Sequence, residues 1–325
     1  MLSNSKELVK NQHYVPRFYL EHFSDDEESI HVYDKVELIT FTSNAKKIAN
    51  ERFFYDLDFF SETGEVVLKD VNQVIEKDLN KEYEEEFSNF LPLLIKKLDT
   101  EKHFLLKRYQ KEICARFIAY QYIRTKRFRE ESFRVNTGIE LYETFTPKMQ
   151  EAFGPFNPKI GHHLLLTMFP LRRETAKNLV DNYYWLIAKN ESDMPFYTSD
   201  NPFAQKHSLQ TIQDKFNTDS TDFTKLSNEI HFPLTQKYTI SLISKKTITR
   251  RFKRFRNRIL VISRFEAEQY NKFQLQRSYR YVYLPIKDFS FLEKIEIETR
   301  DRLIAEGRDP DTIKKPKPKK ERSKK

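Results

Sequence analysis

The chain has 325 residues, a formal charge of +9, 38% hydrophobic residues and 14% aromatic residues. That length buries a sizeable core, as one large domain or two ordinary ones, and so many rings exclude a wholly disordered chain. The five glycines (Gly64, Gly138, Gly154, Gly161 and Gly307) are scattered, which excludes every glycine-rich phosphate cradle, and a lone Cys114 excludes a disulfide framework or a cysteine zinc site.

The opening MLSNSKELVK has no apolar core, so no signal peptide is expected. The longest uncharged apolar stretch, residues 160–171, is too short to span a bilayer. A soluble, cytoplasmic protein without a nucleotide cofactor is the expectation. In chain order, residues 12–60 read as extended runs and turns, with β-branched or aromatic segments at 30–33, 36–41 and 52–55. Val67, Val71, Ile75, Leu79, Tyr83, Phe87, Leu91 and Leu94 recur at steps of three or four, predicting one long amphipathic helix bent by Pro92. A second helix is predicted over 104–130, with Leu106, Tyr109, Ile113, Phe117 and Tyr120 on its stripe; further helices are expected at 140–153 and 171–180.

Strand signals return at 183–188, 196–198, 230–232, 238–243, 260–263 and 279–283, separated by a polar insertion at 204–229. A closing helix is predicted at 289–308, with Gly307 near its end. Strands flank a helical middle. The predicted fold is therefore a predominantly helical single α+β domain over 1–308, whose mixed or antiparallel sheet joins the N- and C-terminal halves.

Charge is concentrated in two places. Residues 245–258 (KKTITRRFKRFRNR) carry +8 without an acid, and residues 311–325 carry +6, leaving −5 on the rest. Residues 309–325, rich in Lys and Pro, read as a disordered basic tail. In the first stretch Arg250, Arg251, Lys253, Arg254, Arg256 and Arg258 surround Phe252 and Phe255, a pattern suited to phosphate contacts and base stacking. An anionic membrane surface or a solvated helix face are the competing readings.

Three segments carry candidate chemistry. In NQHYVPRFYLEHF, His13 stands three residues before Pro16, where an extended backbone suits either an acid–base imidazole or a hydrogen-bonded anchor with Arg17. Gln121 and Arg124 continue a buried helical stripe, so they require an anion, water or a carboxylate such as Glu51 as partner. In FYTSDNPF, Ser199, Asp200 and Asn201 end a strand, as turn formers or as an active-site carboxylate with its neighbours.

At these places the chain resembles the domain-of-unknown-function 4238 family. The resemblance rests on HYVPRFYLEHFS, NERFFYD, ARFIAYQYIRT, FYTSDNPF and HFPLT, with a weaker continuation through Asn271 to RSYRYVY, and covers about residues 11–283. It implies that His13, Pro16, Glu51, Gln121, Arg124, Ser199, Asp200, Asn201 and Pro233 occupy motif positions, and it implies no activity.

Two readings follow. In the first the protein is an enzyme on a phosphate-bearing substrate such as RNA or DNA, a nuclease-like hydrolase. His13, Glu51 and Asp200 would then be catalytic, and Arg17, Gln121, Arg124, Ser199 and Asn201 would bind substrate. Two carboxylates without motif spacing leave a divalent metal open. In the second the motif residues are a structural polar network, and the protein is a non-catalytic module that binds nucleic acid or another polyanion.

Overall fold

Ile30–Asp34 (β2) alternates so that Val32 joins one apolar layer and Tyr33 another, which only a strand covered on both faces permits. The computed structural model describes residues 8–60, 66–69, 73–101, 104–134, 137–206, 228–246 and 259–307. The basic stretch beyond Lys246, most of the 204–229 insertion and the tail lie outside the described residues.

Preceding β2 are β1 (Asn11–His13), helix α1 (Arg17–Leu20) and a 3-10 turn, Glu21–Phe23. The strands β3 (Ile39–Ser43), β8 (Thr198–Ser199) and β13 (Tyr281–Leu284) complete a four-stranded antiparallel sheet in the order β3-β2-β13-β8. This sheet joins the two ends of the chain, as the sequence pattern requires of an α+β fold. A second sheet contains β7 (Tyr183–Asn190), β9 (Ala204–Lys206), β10 (Glu229–Pro233), β11 (Tyr238–Ser244) and β12 (Ile259–Ile262), in the order β12-β7-β11-β10-β9. Only the β12–β7 pairing in it is parallel. Two small antiparallel pairs join β1 to β4 (Asn50–Arg52) and β5 (Asp58–Phe60) to β6 (Val66–Lys69).

The helical middle departs from the sequence expectation at both of its first helices. Val67 belongs to β6, and helical structure begins only with a π turn at Ile75–Leu79, followed by α2 (Asn80–Thr100), which continues through Pro92. Adjacent Val66 and Val67 favour a strand over the start of a helix, a preference that a three-to-four spacing does not register. The helix expected over 104–130 is two, α3 (Arg108–Arg124) and α4 (Lys126–Arg134). They part at Thr125, whose backbone is extended and whose hydroxyl accepts the Phe128 N–H at 3.2 Å, so a new N-terminus is capped at once.

The remaining helices are α5 (Thr137–Glu143), α6 (Pro147–Phe153), α7 (Pro158–Thr167), α8 (Phe169–Asn182), α9 (Arg264–Arg277) and α10 (Ser290–Ala305). Gly307 follows α10 with φ +67°, the left-handed conformation glycine adopts without strain. The main apolar layer packs α1, α2, α3 and α8 onto the second sheet, with Phe87 and Phe117 stacked at 4.0 Å. A smaller layer packs α9 and α10 against Tyr33, Val282 and Leu284.

Candidate functional site

The N-terminal segment enters the core through paired backbone and side-chain bonds. In the β1–β4 pair, Gln12 lies opposite Glu51 and His13 opposite Asn50. The Gln12 amide is fully buried, donating to Asp56 at 2.5 Å and accepting the Tyr55 N–H at 2.7 Å. Gln73 donates to the other Asp56 oxygen at 2.6 Å. Gln12 and Asp56 lie inside the NQHYVPRF and NERFFYD stretches without being candidate site residues, and Gln73 lies outside both.

Arg124, the largest fully buried side chain among the described residues, reaches the same place from the end of α3. Its Nε donates to the Tyr55 hydroxyl at 3.2 Å, Nη1 to Glu84 at 2.8 Å and Nη2 to the His13 carbonyl, and it faces the Tyr120 ring. The guanidinium stays charged: burial opposes its charge, and the Tyr55, Glu84 and Tyr120 oxygens together more than offset that burial. Its carboxylate partner is therefore Glu84. Glu51, half-exposed, pairs instead with Lys126 at the start of α4, and the Lys126 ammonium lies 5.5 Å from the Tyr279 ring. One turn before Arg124, Gln121 donates to the Tyr14 carbonyl at 2.8 Å, and its Oε1 is buried without a partner.

The His13 ring is half-buried, with Nε2 within 3.3 Å of both the Ala45 carbonyl and the Asn50 amide. Burial lowers its pKa, and the Arg124 and Arg17 charges push the same way, against the raising effect of the Ala45 carbonyl. Arg17 points outward and pairs with Glu21 at 2.7 Å, one turn along the chain.

The SDNP segment is bound from the C-terminal side. Asp200 Oδ1 accepts the Tyr279 N–H at 2.7 Å, and Oδ2 accepts those of Arg280 and Tyr281 at 2.7 and 2.9 Å. The carboxylate thus gathers three successive amides where the chain turns from α9 into β13. Burial raises its pKa against the opposing pull of those amides and of Lys35. Lys35 donates to the Ser278 carbonyl at 2.7 Å, and burial pushes its ammonium down to about 8. Ser199 donates to Gln274 at 2.9 Å, while Asn201 donates to the Arg277 carbonyl at 2.8 Å. Asn271, also on α9, bonds Tyr197 N–H and Pro195 O at 2.8 and 2.9 Å. The two clusters meet where Thr125 donates to Asn201 at 3.4 Å, beside a cavity of about 20 Å³, room for about one water.

Arg124 is therefore joined directly to the His13 carbonyl and Gln121 to that of the next residue, Tyr14, while Ser199, Asp200 and Asn201 are clamped to α9 and β13, and Arg17 stands apart. Among the described residues no three His, Cys, Asp or Glu side chains form a group able to hold a metal, and no helix is long and apolar enough to cross a membrane. The arginines of the basic stretch, from Arg250 to Arg258, lie outside the described residues.

These clusters unite segments from residue 12 to residue 281, the span expected if one family pattern covers the whole fold. The family model for a protein of unknown function, DUF4238, matches residues 11–288. The chain belongs to the DUF4238 family. Comparison with curated proteins and with solved structures returned no match. The DUF4238 match runs from β1 to the entry of α10, so it takes in both sheets and every bonded motif residue described above.

Proposed function

We propose that the protein is a polyanion-binding module, with nucleic acid the foremost partner, and that its motif residues form the framework holding the fold together. The observation that carries this reading is the employment of Asp200 and Arg124. Both Asp200 oxygens accept backbone amides, and Arg124, without exposed surface, is bonded at all three nitrogens. Groups so committed stabilise a fold and are poorly disposed to receive a substrate. The binding function falls to the basic stretch, whose +8 over residues 245–258 repels itself and calls for an anionic partner. A reducing cytoplasm suits a chain whose single thiol, Cys114, is buried. The test is anisotropy with a labelled single-stranded oligonucleotide. The wild type binds, while a variant with Arg250, Arg251, Arg254 and Arg256 replaced by Gln binds at least tenfold more weakly and melts at the same temperature.

A second reading keeps the hydrolase acting on a phosphate-bearing substrate. It is favoured by the half-exposed rim where His13 and Glu51 lie on paired strands with Lys126 bound to Glu51. Burial keeps the His13 imidazole neutral near pH 7, as a general base requires. Asp200 would act there only after releasing its amides. This reading predicts phosphodiester cleavage that His13→Asn and Glu51→Gln abolish without lowering the melting temperature.

A further inference from the structure

The HFPLT motif begins with His231, for which the framework described above has no use. His231 on β10 lies directly opposite Ser241 on β11. Its Nδ1 is 3.0 Å from Ser241 Oγ, and its Nε2 is 3.0 Å from Glu229 Oε1, two residues earlier on its own strand. The Tyr270 hydroxyl, from α9, stands 3.1 Å from Ser241 Oγ. We infer that Glu229, His231 and Ser241 form a carboxylate–imidazole–hydroxyl relay that makes Ser241 a nucleophile toward small carboxylic esters.

The hydrogen-bond directions follow from the chemistry of the groups. An ionised Glu229 only accepts, so Nε2 carries the ring proton and the Nδ1 lone pair faces Ser241. Ser241 donates to Nδ1, which leaves Tyr270 as the donor to Ser241 Oγ. The imidazole thus has the tautomer of a general base, oriented by a carboxylate, and a phenolic donor stands 3.1 Å from the attacking oxygen, within reach of an oxyanion formed beside it. The Tyr270 ring meets the imidazole edge-on at 4.6 Å and Phe273 stacks on it at 5.3 Å, which fixes its plane. Two residues before Ser241, on the same face of β11, the buried Thr239 hydroxyl has no partner and is a second donor for an acyl oxygen.

Ser241 and His231 are each 3% exposed, but Tyr270 and Phe273, which cover them, are only half-buried. Rotation of the Tyr270 side chain uncovers the serine. His31 is wired in the same way, 3.1 Å from Thr42 Oγ1 and 3.2 Å from Asp25, but its alcohol is secondary and no phenolic donor meets it among the described residues. Thr42 is therefore the control within the molecule.

In the reaction Ser241 Oγ bonds to the ester carbonyl carbon as His231 takes its proton. The bond to the leaving alkoxide then breaks, and His231 returns the proton to it as the alcohol departs. Water, deprotonated in turn by His231, releases the carboxylic acid and regenerates Ser241. His231 is the acid–base residue and Glu229 a positioning residue.

The test is labelling of the full chain with an alkyl fluorophosphonate, followed by peptide mass mapping, with p-nitrophenyl acetate hydrolysis in parallel. Ser241 should be labelled, fluoride leaving as the Oγ–P bond forms; Tyr270→Phe, which keeps the cover and loses the phenolic donor, should label more slowly, and Tyr270→Ala, which loses both, should still label. Glu229→Gln should cut the rate about 10²-fold and distort its pH profile, with partial rescue by Glu229→Asp. The inference is overturned if Ser241 is unlabelled in both the wild type and Tyr270→Ala, if Thr42 is labelled instead, or if a folded His231→Ala labels at the wild-type rate.

Discussion

Replacing Asp200 with Ala removes the acceptor for three successive amides at once. Each bond to the carboxylate lies between 2.7 and 2.9 Å and is part-buried. A hydrogen bond to a charged group contributes about 1.5–3 kcal/mol, and water replaces part of it where the site is not sealed. Three such bonds, less the cost of burying the carboxylate, place the loss at about 3–5 kcal/mol, a large share of a typical domain stability of about 5–15 kcal/mol. At about 2–4 °C per kcal/mol, the melting temperature should fall by roughly 6–20 °C. Asp200→Asn keeps one acceptor and turns an N–H₂ toward the remaining amides, so it should lose an intermediate amount. Circular dichroism melts of the three proteins make the comparison. An Asp200→Ala protein that melts within about 2 °C of the wild type would refute the framework argument.

Arg124→Lys should cost about 2–4 kcal/mol by denaturant titration, because one ammonium cannot reach the His13 carbonyl, the Tyr55 hydroxyl and Glu84 together. His162 is fully buried, its Nε2 is 2.8 Å from the Ile123 carbonyl and its Nδ1 accepts from Arg129, and burial and that charge hold its pKa well below 6.5. The folded state thus resists a proton that the unfolded state accepts, so stability is full above pH 6.5 and falls below it by about 1.4 kcal/mol per pH unit. His162→Asn should flatten that slope in urea titrations between pH 5 and 7. A Cβ on Gly138 would stand 2.9 Å from the Gly161 Cα and 3.2 Å from Phe156, so Gly138→Ala should lose about 1–3 kcal/mol by forcing α5 and α7 apart, as a thermal melt would register.

The strands were legible where residue type and alternation agreed: residues 183–188 and 238–243 appear within β7 and β11 almost as spaced. The closure of one sheet by both chain ends followed from strands flanking helices. Three helices escaped notice: the four-residue α1 (Arg17–Leu20), inside the stretch read as extended, and the longer α7 and α9. The α9 start has a capping box, in which Ser263 accepts the Glu266 N–H at 3.3 Å and Glu266 accepts the Ser263 N–H at 2.8 Å, a Ser-x-x-Glu signal visible in the sequence. The α7 start has Asn157 capping and Pro158 in the first turn, a start signal of the same kind. For the candidate site, the stripe ending in Gln121 and Arg124 showed that both are buried and need partners, but side-chain reach across the fold decides which ones. Glu84 wins Arg124 because it lies on the neighbouring helix α2, whereas Glu51 on β4 meets Lys126. The role of Asp200 was hidden for the same reason, since its amides lie about eighty residues away in sequence.

The central claim, that folding belongs to the motif residues and binding to the basic stretch, is tested most directly by the salt dependence of oligonucleotide affinity. Each phosphate neutralised contributes about −0.7 to −0.9 to the slope of log K against log salt. Replacing Arg250, Arg251, Arg254 and Arg256 with Gln should flatten the slope by about three units, deletion of residues 311–325 should flatten it further, and Asp200→Asn should leave it unchanged at a temperature where that variant is folded. A slope unaltered by the four replacements, or one lost with Asp200→Asn while the fold persists, would contradict the account.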